Sequence, residues 1–391
     1  MSVVLLESED VAWFRDSLIG ARGAASRLAA RIGLSEHRAG EVALAVSEAA
    51  SNLAKHAVAG AIVLRIVRTP QIAGIEFLAL DHGPGMADVA ASMRDGRSTT
   101  GTLGIGLGMV ARLADTFDLH SAAGQGTVML ARFWPRGATS RLRGTPGEPS
   151  ESVVAGVTRP ISGAMPRGNG PPACGDGWAA RRDDTGTEAP GPAPGDPTAD
   201  ARVRALAPAI PWSAPASAST ALGTGAAVTV MLCDGLGHGP LAETASRAAI
   251  RAFHTGGNRS PEETVQTIHR ALAGTRGVAV AVARIEPDRA RVLFCGVGDT
   301  AAAIVTPTTK TSLPSQPGIA GHRMRTPRTT THPLPTGSAL VMHSDGLTQR
   351  WNPESLHGVL RHSPTVIAGH LLRGAGKHHD DASILVAKGP W

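Results

Sequence analysis

The sequence is poor in cysteine: only Cys174, Cys233 and Cys295 occur in 391 residues. The number is odd and no C-x-x-C pair appears, so no disulfide framework is expected and a reducing compartment is. Long apolar runs are also missing. None approaches the ~20 residues of a membrane span. The opening MSVVLLESEDVAWF has no basic n-region and is acidic by position 7, so no secretory leader is expected. Charged residues make up 18% of the chain, below the usual quarter. The formal net charge is +6 and the pI near 10.0, but the basic residues are scattered and form no run. Neither a nucleic-acid partner nor a membrane is therefore expected, and the reading is of a cytoplasmic protein.

Glycine (47) and proline (28) are plentiful, as in a chain with linkers, while 42% hydrophobic residues suffice for real cores. The length suits two domains. Residues 1–135 have an α+β pattern. Ser8 or Asp10 is placed to cap a helix through VAWFRDSLIGARGAASRLAARI, stopped by Gly33. Ser35 is placed to cap a second helix, ended by Gly60. Strands AIVLRIVR and GIEFLALD follow, then a glycine-rich loop, a third helix IGLGMVARLADTF and a strand pair around DLHSAAGQGTVMLARFW. Residues 136–170, rich in Arg, Gly, Pro and Ser, read as a linker. The second domain, 171–391, contains strands VTVMLCD, VAVAVARIE, ARVLFCGVG, AAAIVT, SALVMHSD and ASILVAK, with helices PLAETASRAAIRAFH, PEETVQTIHRAL and SPTVIAGHLLRGAG. A Pro/Ala-rich insertion at 184–224 interrupts it and is expected to be disordered.

Two constellations carry chemistry. In the second helix, Glu48 and Asn52 stand four apart, on one face. Asp81 ends a strand and is followed by HGPG, where Gly83 and Gly85 let the backbone approach a base. Gly104, Gly106 and Gly108 open a helix, and G-x-G-T ends at Thr127. Each element suits a part of ATP. Asp81 is placed to accept from the adenine amino group, and the helix N-terminus suits phosphates. Asn52 offers a hard oxygen to Mg²⁺, and Glu48 a base for an attacking hydroxyl. Taken singly these are a solvated helix face and a flexible turn; their ordered set is specific.

The second constellation is made of aspartates beside glycine near strand ends: Asp176 in CGDGW, Asp234 in MLCDG, Asp345 in MHSDG, and Asp380 with Asp381 in HHDDAS. One D-G pair is a turn former. Several converging carboxylates cannot all stay ionised without a cation, and oxygen donors select Mg²⁺ or Mn²⁺. Two ions at ~3.5–4 Å activate a bridging water and clamp a phosphoryl group. Phosphate-ester hydrolysis is the chemistry expected. The segment before Asp176, MPRGNGPPAC, is a poor strand. Cys174 and Cys233 read as buried small residues, not ligands.

The first set has the order found in Bergerat-fold ATPases. VSEAASNLAKHA, DHGPGMAD and LGIGLGMVARLADTFDLHSAAGQGT resemble the RsbT-like switch kinases. That resemblance implies an α/β sandwich over 1–135, phosphorylation of a Ser/Thr on a STAS-type regulator, Glu48 as the catalytic acidic residue of the N-box, acting as base, Asn52 as Mg²⁺ ligand, Asp81 as adenine contact and Thr127 in the last ATP box. The second set, above all CDGLGHGPLAETASRAAIRAF, resembles the RsbX- and SpoIIE-like branch of metal-dependent protein phosphatases. It implies an α-β-β-α sandwich with Asp176, Asp234, the Gly235 carbonyl, Asp345 and Asp380 as ligands of two Mn²⁺ or Mg²⁺ ions, and Asp381 as a hydrogen-bonding neighbour. A kinase and a phosphatase acting on STAS-type partners to control a sigma factor is the expected whole; a downstream switch phosphatase is a further candidate partner. The alternatives are an RsbW-type anti-sigma domain, or a binding module that ATP only switches, joined to the same phosphatase.

Overall fold

The computed structural model describes residues 6–15, 17–69, 72–93, 106–137, 152–161, 173–183, 227–257, 259–377 and 379–389. Gly104, the 184–224 insertion and most of 136–170 lie outside them.

The chain opens as a strand, β1 (Glu7–Phe14), where a helix was expected; helix α1 (Ala21–Arg31) starts only after Gly20, at φ +95°. The cause is tertiary. β1 pairs antiparallel with β2 (Ala61–Arg68), and Asp10 meets the buried Arg65 at 2.5 Å. Helical spacing yields to an edge position that gives the carboxylate a partner. The long helix α2 (Glu36–His56) is as its periodicity predicts, opened by the Ser35 hydroxyl accepting the Arg38 N–H at 3.3 Å. It ends at Ala57, short of Gly60. Next come β3 (Ala73–Asp81), a single turn α3 (Val89–Ser92), α4 (Gly106–Leu113), β4 (Thr116–Ser121) and β5 (Thr127–Phe133). The sheet runs β1-β2-β3-β5-β4, antiparallel throughout.

Alternate residues of its central strands serve two cores. Ile62, Leu64, Ile75, Phe77, Met129 and Ala131 pack beneath α1, α2 and α4. Val63, Leu78, Leu80, Val128 and Leu130 face the other way, into a cluster shared with the C-terminal half. Strands buried on both faces read as near-continuous apolar runs, which is how AIVLRIVR and GIEFLALD look apart from the paired Arg65 and Glu76.

The C-terminal half begins inside the stretch expected as a linker: Val154–Arg159 form β6. Then follow β7 (Asp176–Asp183), β8 (Ala227–Gly235), α5 (Pro240–Thr255), α6 (Pro261–Ala271), β9 (Val278–Glu286), β10 (Arg291–Val297), β11 (Ala301–Val305), β12 (Lys310–Leu313), β13 (Ser315–Gln316), β14 (Thr330–Pro333), β15 (Ala339–His343), α7 (Pro364–Ala375) and β16 (Ala382–Lys388). One sheet runs β13-β10-β9-β8-β7, with β14 also on β10; the other runs β12-β11-β15-β16-β6. They pack face to face through Val230, Leu232, Ala281, Phe294, Leu340 and Leu385. Helices α5 and α6 cover the first sheet and α7 the second. This is the α-β-β-α sandwich, joined to the N-terminal α/β sandwich.

The two halves share α7. Its residues Val366, Ile367, Ala368, Leu371 and Leu372 are buried between β6 and β16 on one side and the N-terminal sheet on the other. A Cβ at Gly369 would stand 3.0–3.1 Å from Leu78, Leu80 and Val128, so glycine sets how closely the N-terminal sheet approaches. Beside this apolar seam runs a polar one. The open edge of β6 is covered by N-terminal side chains: Asp10 accepts the Thr158 N–H at 2.5 Å, Trp13 Nε1 donates to the Thr158 carbonyl at 2.9 Å, and Arg65 donates to Gly156 O. An edge strand is thus blunted without another strand. Arg65 and Arg132 both pair with the buried Glu76, at 2.8 and 2.5 Å.

Candidate active sites

The N-terminal site is built around the start of α4. Glu48 and Asn52, one turn apart on α2, face Gly106: a Cβ there would lie 2.7 Å from Glu48 Oε2 and 3.7 Å from Asn52 Nδ2. Glycine lets a helix N-terminus, with its free N–H groups, reach the acid and the amide. Gly108 is buried one step further along α4. Asp81 ends β3, and its Oδ1 accepts the Gly83 N–H at 2.6 Å. A Cβ on Gly83 would strike His56 O at 2.7 Å. Gly85 (φ +64°) and Gly126 (φ +71°) would meet Ala122 O and Asp81 O at 2.0 and 2.1 Å, so both turns require glycine. Thr127 is the register partner of Asp81 on one side and of Ser121 on the other; the two hydroxyls are 3.0 Å apart. Glu48, Asn52, Asp81, Gly83, Gly85, Gly106 and Thr127 therefore line one region.

In the C-terminal site, Asp176 opens β7 and is the register partner of Asp234 on β8. The strand begins at Asp176 itself, and most of the proline-rich MPRGNGPPAC lies outside the described residues. Asp176 Oδ2 accepts from Ser344 Oγ at 2.5 Å, and Ser344 Oγ accepts the Ser383 N–H at 2.9 Å, so the ends of both sheets are tied together here. Burial drives the Asp176 carboxyl well above its ordinary range, and the Asp234 charge adds to it. Burial likewise lifts Asp234 to about 7, helped by Asp345 and Asp380. Asp345 is raised by its own burial and by Asp380. The Asp234 carboxyl thus lies within electrostatic reach of Asp176 and of Asp345. Among the described residues no three metal-binding side chains close round a single point. An all-oxygen donor set whose members repel one another suits a hard divalent cation, whose charge would offset that repulsion. Bound there by Asp176, Asp234, Asp345 and Asp380, such an ion would supply an activated water.

The glycine after two of these aspartates answers to crowding, not to turn geometry. A Cβ on Gly235 would meet Ala242 O at 2.6 Å, and one on Gly346 would meet Asp381 O at 1.9 Å. The positive φ values fall later, at Gly237 and Gly239. Asp381 spends its carboxylate on two backbone amides, Ile161 N at 2.7 Å and Gly175 N at 2.7 Å, and donates its own N–H to Asp380 Oδ1 at 2.9 Å. Asp380 is left facing the cluster. Burial pushes the thiols of Cys233 and Cys295 up to about 12 and that of Cys174 well above its usual range, so none is a thiolate. Sequence reasoning missed Asp299, whose charge reaches Asp345. It lies two residues past the end of β10, in GVGDT, after a glycine rather than before one as Asp234 is. A cavity of about 340 Å³ opens beside it, with Lys310, His343 and Trp351 in its wall.

A Bergerat-type ATP fold joined to a metal-dependent phosphatase sandwich is the class that these sites define. Residues 15–133 match the model of the histidine kinase-like ATPase domain, and residues 224–390 that of Stage II sporulation protein E. Over 119 residues the chain is 37% identical to the serine/threonine-protein kinase RsbT of Bacillus subtilis (strain 168), covering 30% of this chain and 90% of the relative. Through its N-terminal half, the chain belongs to the RsbT family. It is also 25% identical over 119 residues to the phosphoserine phosphatase RsbX of the same organism, covering 30% of this chain and 59% of RsbX. A solved structure of RsbX in complex with magnesium aligns with 17% identity and a TM-score of 0.43, over 60% of this chain and 94% of that one. The phosphatase domain of Bacillus subtilis SpoIIE with a fragment of its regulatory domain aligns with 14% identity and a TM-score of 0.42, over 81% and 78%. Among the described residues no helix is long and apolar enough to cross a membrane.

Proposed function

We propose that this chain is a two-headed regulator of partner switching. Its N-terminal half transfers phosphate from ATP to a serine or threonine of a STAS-domain regulator, and its C-terminal half hydrolyses phosphoserine or phosphothreonine on such regulators, so that together they control a sigma factor. The observation that carries the reading is the contact of Glu48 and Asn52 with the start of α4, on the same chain as the four-aspartate cluster. An acid beside a helix N-terminus suits proton removal from an attacking hydroxyl while backbone amides hold the phosphates. Asn52 would hold the Mg²⁺ of ATP, and the aspartates, with the Gly235 carbonyl, two Mn²⁺ or Mg²⁺ ions. Support comes also from the activities named for RsbT, a serine/threonine-protein kinase, and RsbX, a phosphoserine phosphatase.

The test uses the full chain, labelled ATP and purified STAS-domain proteins. Glu48→Ala should cut transfer at least ~100-fold, the usual weight of a general base. Asp234→Asn should abolish Mn²⁺-dependent release of phosphate from the phosphorylated product. Transfer by E48A at the wild-type rate would end the kinase assignment. A tight complex with a sigma factor and no transfer would give the N-terminal half to the anti-sigma reading.

A further inference from the structure

Arg373 is the one feature of α7 that points out of the phosphatase half into the nucleotide site. It lies on the last turn of α7, and its Nη1 donates to the carbonyl of Asp81 at 2.8 Å. The same Nη1 is 2.8 Å from where a Cβ of Gly126 would stand, so it fills the notch that this glycine leaves. In return, His82 Nε2 donates to the Arg373 carbonyl at 3.0 Å. Behind it, Arg373 Nη2 donates to His370 Nδ1 at 3.2 Å, which fixes the guanidinium's plane. The turn that carries Arg373 is also a wall of the metal cluster. The Ala375 carbonyl accepts the Thr348 N–H at 2.8 Å, and the Lys377 N–H donates to Gly346 O at 2.7 Å. Asp345 directly precedes Gly346 of the second contact, and Asp380 lies three residues beyond Lys377. Arg159, from β6, closes the turn by donating to Lys377 O.

We propose that Arg373 is a positioning residue of the ATP site, supplied by the phosphatase half, and that its turn couples nucleotide binding to the loop carrying Asp345 and Asp380. The inference rests on the reading of Asp81 as the adenine contact. Asp81 offers its carboxylate correctly only if the chain from Asp81 to Gly83 keeps its path, and Arg373 with His82 pins that path from outside. A nucleotide that tightens residues 81–83 tightens the last turn of α7 as well. By linkage, whatever orders the metal loop favours the nucleotide equally.

The experiment uses the full chain and a fluorescent ATP analogue with Mg²⁺. Arg373→Ala should raise the dissociation constant five- to tenfold, and Arg373→Lys, which keeps one donor for the Asp81 carbonyl, should restore most of the affinity. In kinase assays R373A should raise KM for ATP with kcat nearly unchanged. In the wild type the analogue should slow amide exchange across residues 374–381; in R373A it should not. Wild-type affinity in R373A, or no change of exchange in the wild type, overturns the proposal. Weak binding that R373K does not restore, together with a lowered melting temperature, makes Arg373 a packing residue and also overturns it. Asp81→Asn separates the two readings: if it binds the analogue as tightly as the wild type, the adenine assignment itself is wrong, and this inference falls with it.

Discussion

The carboxylate of Asp381 shows what a single residue contributes without touching a ligand. It is 3% exposed and anchors Ile161 and Gly175 by their amides, one from each side of the cluster. Gly175 in turn receives the Gly235 N–H and the Ser246 hydroxyl on its carbonyl. Asp381→Asn turns one acceptor into a donor that faces an N–H. A buried hydrogen bond broken in this way costs about 1–3 kcal/mol. The cost falls where Asp176 leaves Gly175, so metal affinity should drop while turnover at saturating metal survives. A Mn²⁺ titration of phosphatase activity checks this: the half-saturating concentration should rise about tenfold, and an unchanged midpoint would show that Asp381 does not hold the cluster. The signal for Glu48 and Asn52 was plain in the sequence because four-residue spacing on a helix fixes a common face. For Asp381 it was weaker, since the amides that it binds are 206 and 220 residues away. Asp299 was legible in principle, but a lone loop aspartate says nothing until a neighbour such as Asp345 is placed beside it.

At the scale of elements, α7 is buried on nearly every side, and the glycine in its middle is unusual because glycine weakens a helix by roughly 1 kcal/mol against alanine. Gly369 is retained where three side chains of the N-terminal sheet would crowd a Cβ; Gly374, in the same helix, has open space around it. The two positions should therefore respond oppositely. Gly369→Val overfills the seam and should destabilise by about 1–3 kcal/mol, whereas Gly374→Ala should be neutral or stabilising by up to ~1 kcal/mol. Calorimetry of both variants decides: a G369V protein that melts like the wild type would mean that the sheet does not rest on this helix. The helices and most core strands were legible because each carries its own period. β1 and β6 were not, since both are edge strands: Asp10 of β1 meets its partner Arg65 on the neighbouring β2, and the free edge of β6 is met by Asp10 and Trp13 across the join. A short VVAGVT run between glycines and prolines looks like linker until its partner is known.

For the whole molecule, the join between halves holds groups that folding keeps from taking up protons in mild acid. Asp118 of β4 accepts from the His362 ring at 2.7 Å and from the Ser363 N–H at 2.8 Å. Burial opposes its charge, but those hydrogen bonds prevail and hold it at about 2. His120, also on β4, is brought down to about 4 by burial and by the charge of His362, with Arg373 and Arg361 adding to it. His370 of α7 is brought down to about 3 by burial and Arg373. Both imidazoles are neutral in the folded protein at pH 5, whereas in the unfolded chain they take up protons below about 6.5. The unfolded state then binds more protons than the folded one, so stability falls as the pH drops from about 6.5 toward 4. Each pH unit crossed in that window costs up to about 1.4 kcal/mol per imidazole. Asp118 acts in the same direction, its contribution being lost below about pH 3.8. Melting curves between pH 7 and 4.5 should show a drop of several degrees in the wild type and a shallower one in the His120→Gln/His370→Gln variant. Equal slopes in the two proteins would move the acid sensitivity away from this seam. A steeper wild-type slope, with α7 exchanging faster at pH 5 than at pH 7, would place the first acid-induced opening at the surface where the kinase and phosphatase halves meet.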